Sequence, residues 1–326
     1  MASMNIREAF ACPAVLVGGL VAGIWAALAR GDEEPPPRSV SPDGCLSILF
    51  VGDIMLDGGP GHAIASGRDP FAACAGLLRD ADFTVGNLEC VLGRRGRQVL
   101  KPYTFRAAPD APRFLGRHFS AVSLANNHAF DFGPDGLVES LEILAREGVR
   151  QVGGGRTLTE ARRPLLLEHG GLRVAIVAAN GFRPGDSAAT DSAPGVAPLD
   201  TDALLADIAA ARKEADAVVP FVHWGPEGVP QPREADRRLA RRMVEAGAAA
   251  VIGGHPHVTQ TVDVHQGAPI VYSLGNFVFD YFPEDPPRWI GWVAKLSFSR
   301  SGPPALETTA VVLDAAGLPR PAAEDD

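Results

Sequence analysis

The chain has few cysteines and an excess of acidic residues, and both features narrow the class of protein to which it belongs. Its 326 residues include four cysteines, too few and too irregularly spaced for a disulfide framework. No two of them have the C-x-x-C spacing of a structural zinc ribbon. The formal net charge of −9 argues against nucleic acid as the main partner. An apolar fraction of 46% without repetitive runs excludes a disordered or fibrous chain.

Long apolar runs are scarce as well, since a single stretch is long enough to cross a membrane. Residues 10–29 carry no charge, and twenty apolar residues in a helix just span the hydrocarbon core of a bilayer. The preceding basic region is weak, because Glu8 offsets Arg7. This pattern favours an uncleaved signal anchor within residues 1–30 over a signal peptide cleaved after Ala29. In both cases we expect an extracytoplasmic body, held at the cell membrane by one N-terminal span or secreted.

The rest of the chain alternates short apolar runs with amphipathic stretches, after a Pro-rich acidic linker at 31–45. Several of the apolar runs are too uniform to have one wet face, which is typical of buried central strands. This alternation of predicted strands and helices indicates one α/β domain over 46–315. The tail over 316–326 is predicted to be disordered. Strands are predicted at 46–52, 82–85, 119–125, 172–179, 216–222, 248–252, 270–274, 291–298 and 307–313, the last two antiparallel, and helices at 134–147, 200–214 and 232–246.

Polar residues with metal-binding chemistry occur where the predicted strands end. Open α/β sheets place their ligand sites at the carboxyl ends of strands, so we expect these side chains to converge. Carboxylates, an amide and several imidazoles form a mixed set, which suits Mn, Fe or Zn better than Mg²⁺ or Ca²⁺. One such histidine alone is most often an ordinary loop residue, but five strand ends together favour a metal site. The set comprises Asp53, Glu89, Asn127, His128, His223, His255 and His257.

These residues lie in six ordered motifs that carry a family resemblance. They are GDIML at 52–56, GNLE at 86–89, ANNHAFDFG at 125–133, HWG at 223–225, GGHPH at 253–257 and YSLGNFVFD at 272–280. The set resembles the CapA branch of the calcineurin-like metallophosphoesterase superfamily, whose members act in poly-γ-glutamate capsule synthesis. The resemblance covers about 45–300. It implies a four-layer α/β/β/α sandwich, preceded here by one N-terminal apolar helix, with a dimetal centre between the strand-end loops.

The resemblance also implies a role for each motif residue. Glu89 matches a carboxylate that bridges two metals. One metal would be held by Asp53 and His257, and the other by Asn127, His223 and His255. His128 matches a histidine that faces the substrate and assists the leaving group. Asp131, three residues further on, is placed to hold the second ring nitrogen of His128 and fix its tautomer.

One position departs from the superfamily pattern. Members usually have Asp-x-His at the first motif, whereas here Asp53 is followed by Ile54 and Met55. A thioether is a poor ligand for a hard or borderline cation. We therefore expect two metal sites, of which the first is weakened by Met55 and is weak, empty, or completed by Asp57, substrate or water.

Other polar residues near the motifs have two interpretations each. Arg94 and Arg95 lie in a basic loop that is either solvated or a clamp for a phosphate or a polyglutamate chain. Asn276 either orients substrate or serves a turn. Trp224 either lines the site or belongs to the hydrophobic core, and the core position is favoured. Three further histidines, at 118, 169 and 265, are expected on surface loops.

Three functional hypotheses remain open at this stage. The leading one is a membrane-anchored CapA-like protein that handles poly-γ-glutamate during capsule synthesis or export, leaning towards a metal-dependent hydrolase with His128 as proton donor. The second is an exported phosphoesterase acting on a small phosphoester. The third is a metal-stabilised scaffold of a polymer synthase complex. Membrane synthase or export proteins are the partners expected from the family, with an anionic polymer or a phosphoester as ligand.

Overall fold

The computed structural model describes residues 37–182, 185–282 and 284–323. The predicted anchor, its cleavage position and the first part of the linker lie outside these ranges. Within them, no helix combines the length and the apolar character that crossing a bilayer requires.

The helices follow local start signals in the sequence. Asp57 and Asp200 cap two of them, each accepting a hydrogen bond from a backbone amide of the first turn. Pro134 lies in the first turn of a third, where a missing N–H costs nothing. The three predicted helices correspond to the third, fifth and sixth. The α-helices of the described ranges are α1 (Gly58–Ala65), α2 (Ala111–His118), α3 (Gly133–Arg146), α4 (Leu158–Ala161), α5 (Thr201–Ala211) and α6 (Glu234–Glu245).

The strands are more numerous than the apolar runs predict, because short strands are too brief to show a period. In chain order they are β1 (Cys45–Ile54), β2 (Phe83–Leu88), β3 (Ala121–Ser123), β4 (Arg150–Val152), β5 (Gly154–Gly155), β6 (Leu165–His169), β7 (Leu172–Asn180), β8 (Gly195–Val196), β9 (Ala217–His223), β10 (Val251–Gly254), β11 (Val262–His265), β12 (Ala268–Val271), β13 (Asn276–Val278), β14 (Ile290–Ser299), β15 (Ala305–Leu313) and β16 (Pro319–Pro321).

Two large sheets organise these strands. The first has the order β16-β15-β14-β1-β2-β3-β4, with β13 added beside the end of β1. Strands β1 to β4 run parallel, whereas β14, β15 and β16 are antiparallel, as the alternation of the late segments predicts. The second has the order β11-β12-β10-β9-β7-β6, with parallel strands at its centre. Strands β5 and β8 form a separate pair.

Buried apolar residues fill three spaces defined by these sheets. One core lies between the sheets, where the rings of Phe50 and Phe221 meet edge to face at 5.8 Å. The other face of the first sheet is covered by residues of α1, α2 and α3, such as Leu137. Helices α5 and α6 cover the second sheet through residues such as Ile208 and Met243. Helices, sheet, sheet and helices therefore stack in that order, in agreement with the predicted mixed α/β class.

The carboxyl end of β1 is the point on which the candidate site is built. Asp53 pairs in register with Asn87 of β2 on one side and with Asn276 of β13 on the other. The approach of β13 requires glycine before Asp53, since a Cβ on Gly52 would lie 1.9 Å from Gly275 O.

Three segments differ from the sequence-based expectation. The predicted disordered tail contributes β16, and Leu318 before it is buried, because this segment closes the antiparallel edge. The described part of the predicted Pro-rich linker is docked on the body, where Arg38 donates to Leu78 O, Thr84 Oγ1 and His118 O. His118 itself is not on a surface loop: it is buried at the end of α2, with Nε2 2.8 Å from an Asp69 oxygen.

Candidate metal centre

The strand-end loops bring the predicted ligands together in one buried cluster. The end of β1 supplies Asp53, the segment after β2 supplies Glu89, and the loop after β3 supplies Asn127. The second sheet supplies three imidazoles, from the end of β9 and the loop after β10. All but Asn127 are at most 3% exposed, and the buried set is Asp53, Glu89, His223, His255 and His257.

Two buried amides that the sequence analysis did not single out orient the oxygen ligands. Asn126 donates to Asn87 Oδ1 and Leu88 O, and its own oxygen accepts from the amides of His128 and Ala129. This arrangement turns the Asn87 amide nitrogen towards Asp53 Oδ1, at 2.8 Å, and leaves it 3.3 Å from a ring nitrogen of His223. Both asparagines lie inside the quoted motifs. Their position in sequence beside the predicted ligands could therefore have indicated that they support the cluster.

Glu89 and His255 carry polar atoms without hydrogen-bond partners. Neither carboxylate oxygen of Glu89 and neither ring nitrogen of His255 has a partner among the described residues, although both side chains are 0% exposed. The nearest approach to Glu89 is His223 Nε2, 3.3 Å from Oε1. Unpaired buried carboxylates are costly. The donor set therefore fits a cation, since a cation would be bound by the Glu89 carboxylate and by one ring nitrogen of His255, the other nitrogen carrying the ring hydrogen.

The ligand atoms fall into two groups that share Glu89. One group is Asp53, Glu89 and His223, and the other is Glu89, His255 and His257, with the atoms of each group within 4.8 Å of one another. The shared carboxylate agrees with the bridging position that the resemblance implies. The partition of the remaining ligands differs from it, because Asp53 is grouped with His223 rather than with His257. Asn127 Oδ1 joins the first group at 2.7 Å from His223 Nε2.

The two loop histidines adopt backbone conformations that are unfavourable for side chains with a Cβ. His255 has φ of 95° and His257 has φ of 56°. Such conformations cost free energy and persist where the surrounding structure enforces them, which is common at functional sites. The ring of Phe182 lies 4.0 Å from that of His255, and Phe279 lies 4.7 Å from His257.

Burial and the close packing of charged groups shift the pKa values of the cluster in different directions. Burial and the nearby Asp53 charge raise the pKa of Glu89 well above its usual range. Burial lowers the pKa of His223 to about 4, and burial together with His223 lowers the pKa of His255 well below its usual range, so both imidazoles are neutral at neutral pH. Burial alone would raise the pKa of Asp53, but its bond to His257 lowers it.

Met55 occupies the core and does not contribute a hard ligand. Its side chain is 1% exposed, and its sulfur accepts the backbone amide of Asp57 at 3.1 Å. Asp57 does not replace the missing imidazole, because one of its oxygens caps α1 at Gly58 and the other accepts from the Arg106 amide. Half of the centre therefore has one ligand fewer than the superfamily pattern.

His128 and Asp131 form the expected pair beside the cluster, with His128 Nδ1 2.8 Å from Asp131 Oδ2. Phe105 N donates to the same oxygen, and Lys101 forms an ion pair with the other. Lys101 also donates to Asn127 O at 2.7 Å. The sequence analysis missed Lys101, whose only signal was that lysine occurs three times in the chain.

Of the residues expected to contact substrate, the two arginines pair elsewhere or face the solvent, and Asn276 is buried against a residue of the cluster. Arg95 pairs with Glu139 and Glu142 on α3, and the exposed side chain of Arg94 makes no ion pair within the described residues. Asn276 is 1% exposed and contacts His257 instead of the solvent. Trp224 belongs to the core, with its indole nitrogen bonded to Tyr272 O.

Comparisons with known proteins identify similar sequences. The family model "Bacterial capsule synthesis protein PGA_cap" matches residues 47–281. The chain is 33% identical over 271 residues to the PGA biosynthesis protein CapA of Bacillus subtilis (strain 168), covering 80% of this chain and 69% of that protein. It is 30% identical over 278 residues to the capsule biosynthesis protein CapA of Bacillus anthracis, covering 80% and 66%. The chain thus spans about two thirds of the length of these relatives.

Solved structures share the fold at low sequence identity. A novel phosphatase of Mycoplasma pneumoniae matches with a TM-score of 0.51 and 12% identity, covering 83% of this chain and 94% of that one. A putative 5'-nucleotidase from Staphylococcus aureus matches with a TM-score of 0.51 and 14% identity, covering 81% and 53%. At such identities the likeness concerns the fold alone, and it agrees with the layered α/β architecture.

Proposed function

Because the chain belongs to the PGA_cap family of bacterial capsule synthesis proteins, we propose that it acts in poly-γ-glutamate synthesis or export as a metal-dependent hydrolase. The observation that carries this proposal is the buried ligand cluster with unpartnered Glu89 and His255 atoms. Residues 46–315 form the CapA domain in this proposal. The N-terminal run anchors it at the cell membrane on the extracytoplasmic side, beside membrane proteins of the synthase or exporter.

The centre takes one or two divalent transition metals, of which Mn, Fe and Zn suit the nitrogen and oxygen donors. A bound ion supplies Lewis acidity, which activates water and stabilises charge on the oxygens of a phosphoryl or acyl group. The ligands are Glu89, His255 and His257 in one group and Asp53, His223 and Asn127 in the other, with Glu89 shared. The group that contains Asp53 is the weaker, since Asp53 already accepts from Asn87 and pairs with His257.

His128 transfers a proton to the leaving group in this proposal. Asp131 Oδ2 holds the Nδ1–H of the ring, which leaves Nε2 as the nitrogen that exchanges a proton with substrate. Lys101 balances the Asp131 charge and fixes the Asn127 carbonyl, so the loop that carries His128 is held from two points. The substrate is anionic, either the polyglutamate chain or a phosphoester, because only an anion gains from the excess positive charge of a loaded centre.

A second candidate is a scaffold that uses metal for structure only. Met55 favours it, since the missing imidazole weakens one half of the centre. The pair of His128 and Asp131 favours catalysis, because a scaffold needs no proton donor beside its metal.

The test is hydrolysis by the metal-loaded, full-length protein of p-nitrophenyl phosphate and of poly-γ-glutamate, compared with His128→Asn. We expect turnover that falls at least 100-fold in the variant while metal content is unchanged. Equal turnover in both proteins would exclude His128 as proton donor. Absence of turnover in the loaded parent on both substrates would favour the scaffold.

A further inference from the structure

Asn276 is a buried polar residue that contacts a ligand of the centre without belonging to it. It begins β13, is 1% exposed, and pairs in register with Asp53 of β1. Its Oδ1 lies 2.8 Å from Nδ1 of His257. The residue thus contacts the Nδ1 side of the imidazole.

The orientation of the Asn276 amide follows from its other contacts. Its Nδ2 donates to Arg288 O at 2.9 Å and to His257 O at 3.4 Å. Backbone carbonyls only accept hydrogen bonds, so the nitrogen end of the amide must face them. The oxygen end therefore faces the ring of His257.

This orientation determines which ring nitrogen of His257 carries a hydrogen. An amide oxygen accepts but cannot donate, so Nδ1 must be the protonated nitrogen. Asp53 Oδ2, 3.3 Å from Nδ1, acts in the same sense because a carboxylate is also an acceptor. Nε2 is left as the nitrogen whose lone pair is available for a metal ion.

Asn276 also holds the main chain of His257. The backbone of His257 has a φ of 56°, and its carbonyl is one of the two acceptors of the Asn276 amide. The other acceptor, Arg288 O, belongs to the short helical turn Pro286–Trp289. The guanidinium of Arg288 lies over the Phe282 ring at 3.7 Å, and Phe282 packs at 5.3 Å from the His257 ring. Side chain, backbone and ring face of His257 are therefore constrained together.

We propose that Asn276 is a positioning residue for metal binding, which holds His257 with Nδ1 protonated and Nε2 directed to the ion. It is neither a metal ligand nor a substrate contact. The inference rests on the metal centre of the proposed function, but it makes no use of the reaction. Outer partners of ligand histidines commonly contribute 10- to 100-fold to metal affinity.

The experiment is a Co²⁺ titration of the metal-free, full-length protein, followed by equilibrium dialysis and by the visible absorption of bound Co²⁺. Asn276→Leu keeps the approximate volume of the side chain. It removes both the oxygen that accepts from His257 Nδ1 and the nitrogen that donates to the backbone carbonyls. We expect its Co²⁺ affinity to fall about 10- to 100-fold, with a changed absorption spectrum. Asn276→Asp keeps an oxygen facing Nδ1, and we expect it to retain more of the affinity than Asn276→Leu.

Thr84→Val is the matched control for loss of a buried hydrogen bond away from the centre. Thr84 lies in β2, is fully buried, and donates to Leu78 O. Its variant should lower the melting temperature and leave Co²⁺ affinity within twofold. The inference is overturned if Asn276→Leu, or Asn276→Asp should the former not fold, binds Co²⁺ like the parent with the same spectrum. If the parent binds no Co²⁺, the metal centre of the proposed function fails and this inference fails with it.

Discussion

The two carboxylates of the centre are in opposite electrostatic situations. Asp53 accepts from Asn87 and pairs with His257, whereas neither oxygen of Glu89 accepts a hydrogen bond. Removing the charge of a carboxylate that has a partner destabilises the folded protein. Removing the charge of a buried carboxylate without a partner stabilises the folded protein, because the cost of burying that charge is lost. The same chemical change at the two positions should therefore have opposite effects on the metal-free protein.

Glu89→Gln is expected to stabilise the metal-free protein by about 1–2 kcal/mol and to abolish metal binding. Asp53→Asn is expected to destabilise it by about 1–3 kcal/mol, because it removes an acceptor from a buried network. Urea denaturation of both variants, prepared without metal at neutral pH, measures the two free energies of unfolding. A destabilised Glu89→Gln would show that Glu89 is satisfied by contacts other than a cation.

Lys101 compensates the charge of Asp131, whose side chain is fully buried. Lys101→Met removes the ion pair of that carboxylate and leaves it with the hydrogen bonds to His128 and Phe105, so it should cost about 1–3 kcal/mol, since the lysine is partly exposed. Lys295→Met is the matched control: it removes a lysine paired with Asp80 at the surface, and should cost at most about 1 kcal/mol. Equal losses in chemical denaturation would mean that the Lys101 pair is an ordinary surface pair.

Sequence reasoning at this scale named the residues that the structure brings together in one buried cluster, but it did not identify the residues that support them. The ligands lie in motifs at strand ends, so chemistry and position agreed for Asp53, Glu89 and the three imidazoles. The supports could not be predicted because their role depends on contacts across the fold: Asn87 and Asn276 flank Asp53 only after β2 and β13 pair with β1. The basic loop at Arg94 and Arg95 shows the converse, since proximity in sequence to Glu89 did not bring it to the site.

At the scale of elements, the long strands and helices were predictable and the short ones were not. Buried runs such as β1 and β7 have the length and composition of central strands. Short elements such as β13, at three residues, are stabilised by their neighbours rather than by a pattern of their own. The tail differs for the same reason, because β16 pairs with β15 through three residues only.

The docked part of the linker is expected to contribute to the free energy of unfolding. Arg38→Ala removes three hydrogen bonds that tie this segment to the body, and should lower the free energy of unfolding by about 1–3 kcal/mol. Arg94→Ala, at an exposed side chain without an ion pair among the described residues, should change it by less than about 0.5 kcal/mol. Indistinguishable melting curves for the two variants would mean that the segment is not docked in solution.

At the level of the whole molecule, the candidate centre depends on the two sheets being held face to face. The first sheet contributes Asp53 and Glu89, and the second contributes the imidazoles, so the centre exists only where the carboxyl ends of both sheets meet. The apolar core between the sheets keeps these halves in register. The family and the general fold were accessible from the six motifs, whereas the grouping of the ligands required the assembled structure.

The most direct test of the central claim is elemental analysis of the purified full-length protein after incubation with Mn²⁺, Fe²⁺ or Zn²⁺ and removal of free metal. The account predicts at least one equivalent of a transition metal per chain, lost in Glu89→Gln and retained in Lys295→Met. A parent protein that retains no metal under any of these conditions would contradict the assignment of this buried cluster as a metal centre.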